Sequence, residues 1–134
     1  MNILDRIVRD RVLKPGRTAY YQKNLDSGTY STADEPVVAH PDSANLIGSS
    51  YGLVEHLPVI DIDVPCVLVE SSTPGHYHLY IDHPVVDELY WQMLEAMAAA
   101  GVVQKAYVGV SKRRGQTFVR VPGLKKRVPG LKKR

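Results

Sequence analysis

Two alternating segments on either side of a polar turn constrain the fold of this chain more than any other feature. They lie in PVIDIDVPCVLVESSTPGHYHLYID, residues 58–82. The period-2 pattern predicts strands over 57–63 and 67–70, with a hairpin partner over 76–81. The Ser, Thr, Pro and Gly residues between the last two supply the backbone angles that a turn requires. The sequence therefore predicts an antiparallel pairing at its centre.

Apolar residues at helical spacing predict two helices. The first covers 2–13. The second covers 84–100, where Leu89, Met93 and Met97 repeat at intervals of four and are expected to face the core. A proline near its start, acids in its first turns and a glycine after its end favour this helix.

Short strands complete the predicted fold. Alternation predicts a second hairpin over 106–110 and 116–121, with Lys112, Arg113 and Arg114 in its turn. Further short strands are predicted at 18–21, 37–40 and 53–56. Together the elements predict an α+β fold, in which helices cover one face of a largely antiparallel or mixed sheet.

Composition divides the chain into three segments. They are an N-terminal helix with a loop-rich segment at 1–56, an α+β core at 57–121 and a basic tail at 122–134. The chain ends in VPGLKKR at 121–127 and the same letters again at 128–134. One copy is too short to be a structural repeat, and we expect the tail to be disordered.

Charge is distributed unevenly along the chain. Residues 112–134 hold 10 of the 17 Lys and Arg residues and none of the 14 Asp and Glu residues. Such a basic arm is typical of proteins that contact nucleic acid or another polyanion. A terminus that only improves solubility is the alternative. The arginines and lysine at 112–114 are a candidate phosphate clamp for nucleic acid.

The compartment follows from cysteine usage and hydropathy. A single cysteine, Cys66, excludes an internal disulfide framework and favours a reducing cytoplasm. The longest apolar runs are far shorter than the roughly 20 residues of a membrane span. We expect a cytoplasmic protein with no membrane contact.

The paired acids and paired histidines form the candidate site. Residues i and i+2 of a strand face the same side, so Asp61 and Asp63 project together, as do His76 and His78. Carboxylates suit hard cations such as Mg²⁺ or Mn²⁺, and imidazoles suit Zn²⁺ and its neighbours. Asp82 is a possible third acid. The alternative is that these residues are turn, cap and solvent-facing residues without a ligand.

The expected hairpin register separates the acids from the histidines. If Glu70 opposes His76, Asp82 falls opposite Val64 and thus beside the paired acids. A cation and an anionic substrate need neighbouring subsites, and this register would provide them.

Residues 58–82 resemble the first two motifs of the archaeo-eukaryotic primase superfamily, which includes primase-polymerases. PVIDID is similar to its acidic metal-binding strand, and SSTPGHYHLY to the strand whose histidine contacts nucleotide phosphates. TFVRVPGLKK, at 117–126, resembles a segment whose basic groups meet phosphate or template. The resemblance implies a primase-polymerase-like fold, a divalent cation (Mg²⁺ or Mn²⁺), and nucleotide, DNA or RNA as partners.

Residue roles follow from that resemblance. It implies Asp61, Asp63 and His78 as catalytic residues, Asp61 and Asp63 with Asp82 as metal ligands, and Ser72, Thr73, His76, His78, Arg120, Lys125 and Lys126 as phosphate contacts. The pattern HLPVIDID, SSTPGHYHLY and VRVPGLKK is also similar to a small protein family carried by many tailed phages of actinobacteria. That similarity implies a phage origin and action inside the infected host cell.

One departure leaves the function class open. The superfamily has a third acidic motif on a later strand, but no Asp or Glu follows Glu95 in this chain. A minimal primase-like nucleotidyltransferase and a non-catalytic nucleotide- or nucleic-acid-binding module are both consistent with the sequence. A phage factor that acts on a host protein is the third class.

Overall fold

The computed structural model describes residues 2–13, 16–27 and 35–123. The chain divides into two compact units, Met1–Asp61 and Ile62–Arg134. Helices and short antiparallel strand pairs place the described residues in the α+β class, as predicted. None of the helices in these ranges has the length and apolar character to cross a bilayer. Most of the basic tail, from residue 124 on, lies outside the described residues. The prediction that the tail is disordered therefore stays a prediction.

The first unit combines one α-helix with short strands in the part that is described. Its elements are α1 (Ile3–Leu13), β1 (Ala19–Tyr21), a 3₁₀ helix (Lys23–Ser27), β2 (Val37–Val38), β3 (Leu46–Ile47), β4 (Ser50–Tyr51) and β5 (Glu55–His56). Strand β1 is central in a three-stranded antiparallel sheet of order β2-β1-β3, and β4 pairs with β5. The strands predicted near 18–21, 37–40 and 53–56 are confirmed, at shorter lengths.

Helix α1 is confirmed where the sequence predicted it. The Asn2 side-chain oxygen accepts a hydrogen bond from the Asp5 N–H at 2.8 Å, which is the usual N-terminal cap. The Arg9 guanidinium donates to the Ala44 carbonyl oxygen at 3.2 Å. None of the side chains of α1 is buried. The apolar stripe that predicted the helix therefore faces solvent.

The second unit begins with the predicted hairpin, in a register one residue away from the expected one. Strands β6 (Cys66–Glu70) and β7 (Tyr77–Ile81) pair so that Glu70 faces Tyr77 and Val69 faces His78. The prediction that Glu70 opposes His76 is wrong. The His76 N–H donates to the Thr73 carbonyl oxygen at 3.1 Å, which holds His76 in the turn and lengthens the turn by one residue.

Helix α2 (Asp87–Ala99) confirms the long predicted helix and begins three residues after Pro84. Its buried side chains are Trp91, Leu94 and Ala98, which cluster with Val108 of the next helix. Met97 packs against this cluster, so the prediction that the stripe faces the core is confirmed there, whereas Leu89 and Met93 are 55% and 38% exposed. The buried stripe has the same helical spacing but lies on the neighbouring face, because that face meets α3 (Lys105–Arg114).

Helix α3 occupies the place of a predicted hairpin. The expectation of strands over 106–110 and 116–121 is wrong, because 106–110 is helical and 117–121 forms no strand. Gly115 ends α3 in the left-handed conformation, with φ 83°. Its N–H donates to the Lys112 carbonyl oxygen at 3.2 Å, and the Gln116 N–H donates to the Ser111 carbonyl oxygen at 3.2 Å. This pair of hydrogen bonds is the Schellman ending of a helix, and a β-turn would not form it.

The segment 57–63 is not a strand, so the prediction that both motifs belong to one sheet is wrong. Strand β5 ends at His56, and the backbone from Leu57 to Asp63 forms no ladder. Pro58 lies within the segment and Pro65 follows it, and both lack the N–H group that a ladder uses. Alternation in VIDID is therefore a pattern without a partner strand among residues 2–13, 16–27 and 35–123.

Candidate functional site

The paired acids lie on an exposed, extended segment whose start is fixed by Arg17. The Arg17 guanidinium donates to the Leu57 carbonyl oxygen at 2.9 Å and to the Pro58 carbonyl oxygen at 3.3 Å. Asp61 and Asp63 are both exposed. The two acids are close in sequence, but they project from an irregular segment and not from the predicted strand.

The two histidines occupy different environments. His78 lies within β7, is half-buried, and faces Val69 across the hairpin. His76 is exposed and belongs to the turn, where its carbonyl oxygen accepts from the Ser71 N–H at 2.9 Å. The i, i+2 argument for a shared strand face therefore applies to His78 and Tyr80, and it does not apply to His76.

Tyr80 lies two residues beyond His78 on the same strand, with its hydroxyl buried. That hydroxyl has no hydrogen-bond partner within the described ranges. Val67, opposite Tyr80, and Val69, opposite His78, complete this face of the hairpin. The half-buried residues of β6 and β7 are Val69, His78 and Tyr80, so this is the more enclosed of the two hairpin faces.

The polar turn residues mainly organise the turn itself. The Ser71 hydroxyl oxygen accepts from the Thr73 N–H at 3.0 Å. Ser72 is exposed and Thr73 is half-buried. The phosphate contacts predicted for Ser72 and Thr73 stay predictions. The turn that carries both residues is already hydrogen-bonded internally.

A complete metal-ligand set does not form among residues 2–13, 16–27 and 35–123. No three His, Cys, Asp or Glu side chains there are close enough to hold one ion. The metal role of Asp61, Asp63 and Asp82 stays a prediction. Asp82 does continue the hairpin, because its N–H donates to the Pro65 carbonyl oxygen at 2.8 Å. Asp63 stands two residues before that proline.

The basic residues predicted in a hairpin turn lie instead in the last turn of α3. Lys112, Arg113 and Arg114 are all exposed there. The Lys112 ammonium donates to the Glu95 carboxylate at 2.6 Å. Arg120, further along, is also exposed. Lys125 and Lys126 lie outside the described residues.

The segment that follows α3 is attached to both helices of the second unit. The hydroxyls of Tyr90 on α2 and Thr117 are 2.5 Å apart and share a hydrogen bond. The Tyr107 hydroxyl on α3 donates to the Phe118 carbonyl oxygen at 3.4 Å. The Phe118 side chain is nevertheless exposed. Phe118 was not among the predicted site residues, although it is the single phenylalanine of the chain and has basic residues on both sides in the sequence.

Comparisons with protein-family models, with curated proteins and with solved structures find no match to this chain. Function is therefore inferred from the geometry of the described residues and from the charge pattern of the sequence.

Proposed function

We propose that this chain binds nucleic acid through the basic segment that begins at Lys112. The observation that carries the proposal is the end of α3, where Arg113 and Arg114 project into solvent. In the part of the chain that is described, no hydrogen bond or ion pair occupies either guanidinium. Lys112, in contrast, is paired with Glu95. Glu95 is also the last acid of the sequence.

Phosphate is the chemistry that such a segment fits. Guanidinium groups form paired hydrogen bonds with phosphate oxygens, and they stay charged at every physiological pH. From residue 96 to residue 134 no carboxylate competes for them along the chain. Contacts of this kind fix position on a nucleic-acid backbone without reading its sequence. The proposed activity is thus binding with little sequence preference.

The proposal is tested by removing the two arginines. Arg113→Ala/Arg114→Ala should weaken binding to a labelled duplex. It should also reduce the magnitude of the slope of log K against log salt concentration by about 2, because two phosphate contacts are lost. Fluorescence anisotropy over a range of salt concentrations measures both quantities. Because the two side chains are exposed, the fold is expected to persist.

Arg6→Ala/Arg11→Ala is the matched control. It removes the same charge from exposed positions on α1. We expect the control to keep a salt dependence close to that of wild type. Equal losses in the two variants would mean that net charge alone governs binding, and the assignment to the end of α3 would be wrong.

A second candidate is metal-dependent nucleotide binding by a primase-like protein. The hydrogen bond from Asp82 N–H to Pro65 favours it, because it brings a second acid to the chain segment that carries Asp63. Mg²⁺ is commonly held by one or two carboxylates together with substrate phosphates and water, so two acids suffice. His78 would then contact phosphate. The primase-polymerase-like fold, nucleotidyl transfer, the phage origin and the cytoplasmic location stay predictions.

A further inference from the structure

Phe118 is held in a defined position while its ring stays in solvent. The residue before it, Thr117, is tied to Tyr90 of α2, and its own carbonyl oxygen accepts from Tyr107 of α3. Thr117 is half-buried, whereas Phe118 is 57% exposed. The backbone is therefore anchored on both helices of the unit at the point where an aromatic side chain is left uncovered.

Exposed arginines precede and follow this ring along the chain. Arg113 and Arg114 precede it in the last turn of α3, and Arg120 follows it, all of them exposed. No acid occurs in this part of the sequence. An aromatic ring close in sequence to exposed arginines is a combination that proteins use for single-stranded nucleic acid, with cations for the backbone and a flat face for a base.

We infer that Phe118 is a stacking platform for a base of single-stranded nucleic acid. This inference rests on the proposed function and adds the class of ligand to it. In an intact duplex the faces of the bases already stack on one another, so an exposed ring has little to contact. In a single strand every base offers a π face, and stacking on a protein ring tolerates any sequence. The anchored backbone reduces the entropy lost when the ring is immobilised.

The experiment separates stacking from charge. Binding of the full chain is measured to an oligothymidylate strand and to an abasic strand of equal length, which carries the same phosphates without bases. We expect wild type to bind the oligothymidylate about 5- to 150-fold more tightly, the range that stacking of one base supplies. Phe118→Leu should abolish that preference, and Phe118→Trp should keep it.

Val121→Ala is the matched control, since it shortens a neighbouring exposed apolar residue that has no ring. It should retain the preference for the strand with bases. Equal affinity of wild type for the two strands, or an unchanged preference in Phe118→Leu, overturns the inference while nucleic-acid binding itself stands. Binding to the labelled duplex and to neither strand overturns the inference alone, and failure of wild type to bind the duplex or either strand at low salt overturns the proposed function and this inference together.

Discussion

At the scale of single residues, the clearest electrostatic arrangement lies in the first unit, around Asp26. The Tyr21 hydroxyl donates to one carboxylate oxygen of Asp26 at 2.5 Å, and the Asn45 amide donates to the other at 3.0 Å. The two hydrogen bonds, chiefly that of Tyr21, lower the pKa of Asp26 below its ordinary value of 3.8. The same hydrogen bond raises the pKa of Tyr21 above 10.0.

These shifts predict the pH range in which the arrangement stabilises the fold. Because the folded pKa of Asp26 is lowered, its contribution is present above pH 3.8 and disappears as pH falls through the folded pKa. The pKa of Tyr21 is raised, so its contribution is present below pH 10.0 and disappears as pH rises through the folded pKa. Tyr21→Phe should raise the pKa of Asp26 toward its ordinary value, as measured by NMR titration of the carboxyl carbon.

Tyr20→Phe is the control for that titration. Tyr20 is the preceding residue of β1, and its replacement by Phe removes one hydroxyl, as the change at Tyr21 does. We expect Tyr20→Phe to leave the pKa of Asp26 where it is in wild type. An Asp26 titration that is the same in Tyr21→Phe and wild type would show that the hydrogen bond does not set this pKa.

At the scale of elements, the sequence predicted those structures whose signals are local. The hairpin of β6 and β7 was predictable because alternation, a polar turn and a second alternation occur within one short stretch. Helix α3 was not, because AYVGV alternates like a strand while its helical state depends on packing of Val108 and Ser111 beside α2. Gly115 was the available signal, since a glycine directly after basic residues is typical of a helix end.

Replacing two glycines, one inside α3 and one directly after it, should change the stability of the protein in opposite directions. Gly109 lies inside the helix, and a methyl group there would have no atom within 4 Å outside the helix. Gly109→Ala should stabilise the protein by about 0.5–1 kcal/mol, because alanine loses less backbone entropy in a helix. Gly115 has φ 83° and equally open surroundings. Gly115→Ala should destabilise by about 1 kcal/mol, through left-handed strain alone.

Urea unfolding of the full chain measures both changes, with each variant as the control for the other. They make the same chemical replacement in one helix, six residues apart in the sequence, so only the backbone conformation differs. A loss of stability in Gly109→Ala would contradict the open surroundings of residue 109, and an unchanged stability in Gly115→Ala would contradict the left-handed conformation of residue 115.

At the scale of the whole molecule, the candidate site shows what local patterns leave undetermined. The spacing of Asp61 and Asp63 indicated a strand face, yet a strand needs a partner, and none pairs with that segment in the described residues. The exposed position of Phe118 depends on Tyr90 and Tyr107, whose hydrogen bonds join residues 27 and 11 positions apart. Such tertiary contacts leave no periodic trace in the sequence.

The two proposed functions differ in their dependence on a divalent cation. Nucleic-acid binding by arginines needs none, and Mg²⁺ or Mn²⁺ should weaken it by competing for phosphate. The second candidate predicts the reverse for a nucleoside triphosphate, whose affinity should rise with Mn²⁺. In calorimetric titrations, Asp63→Asn/Asp82→Asn should remove the Mn²⁺-dependent gain, and His78→Ala should weaken binding with or without metal.

Asp5→Asn/Asp10→Asn supplies the matched change of charge on α1 and should retain the full gain. If Mn²⁺ raises the affinity of wild type and of both acid variants equally, the ion is bound by the triphosphate alone and the carboxylates have no part in it. If Mn²⁺ raises no affinity at all, the second candidate is wrong, and nucleic-acid binding through the arginines, which needs no divalent cation, is the proposal that remains.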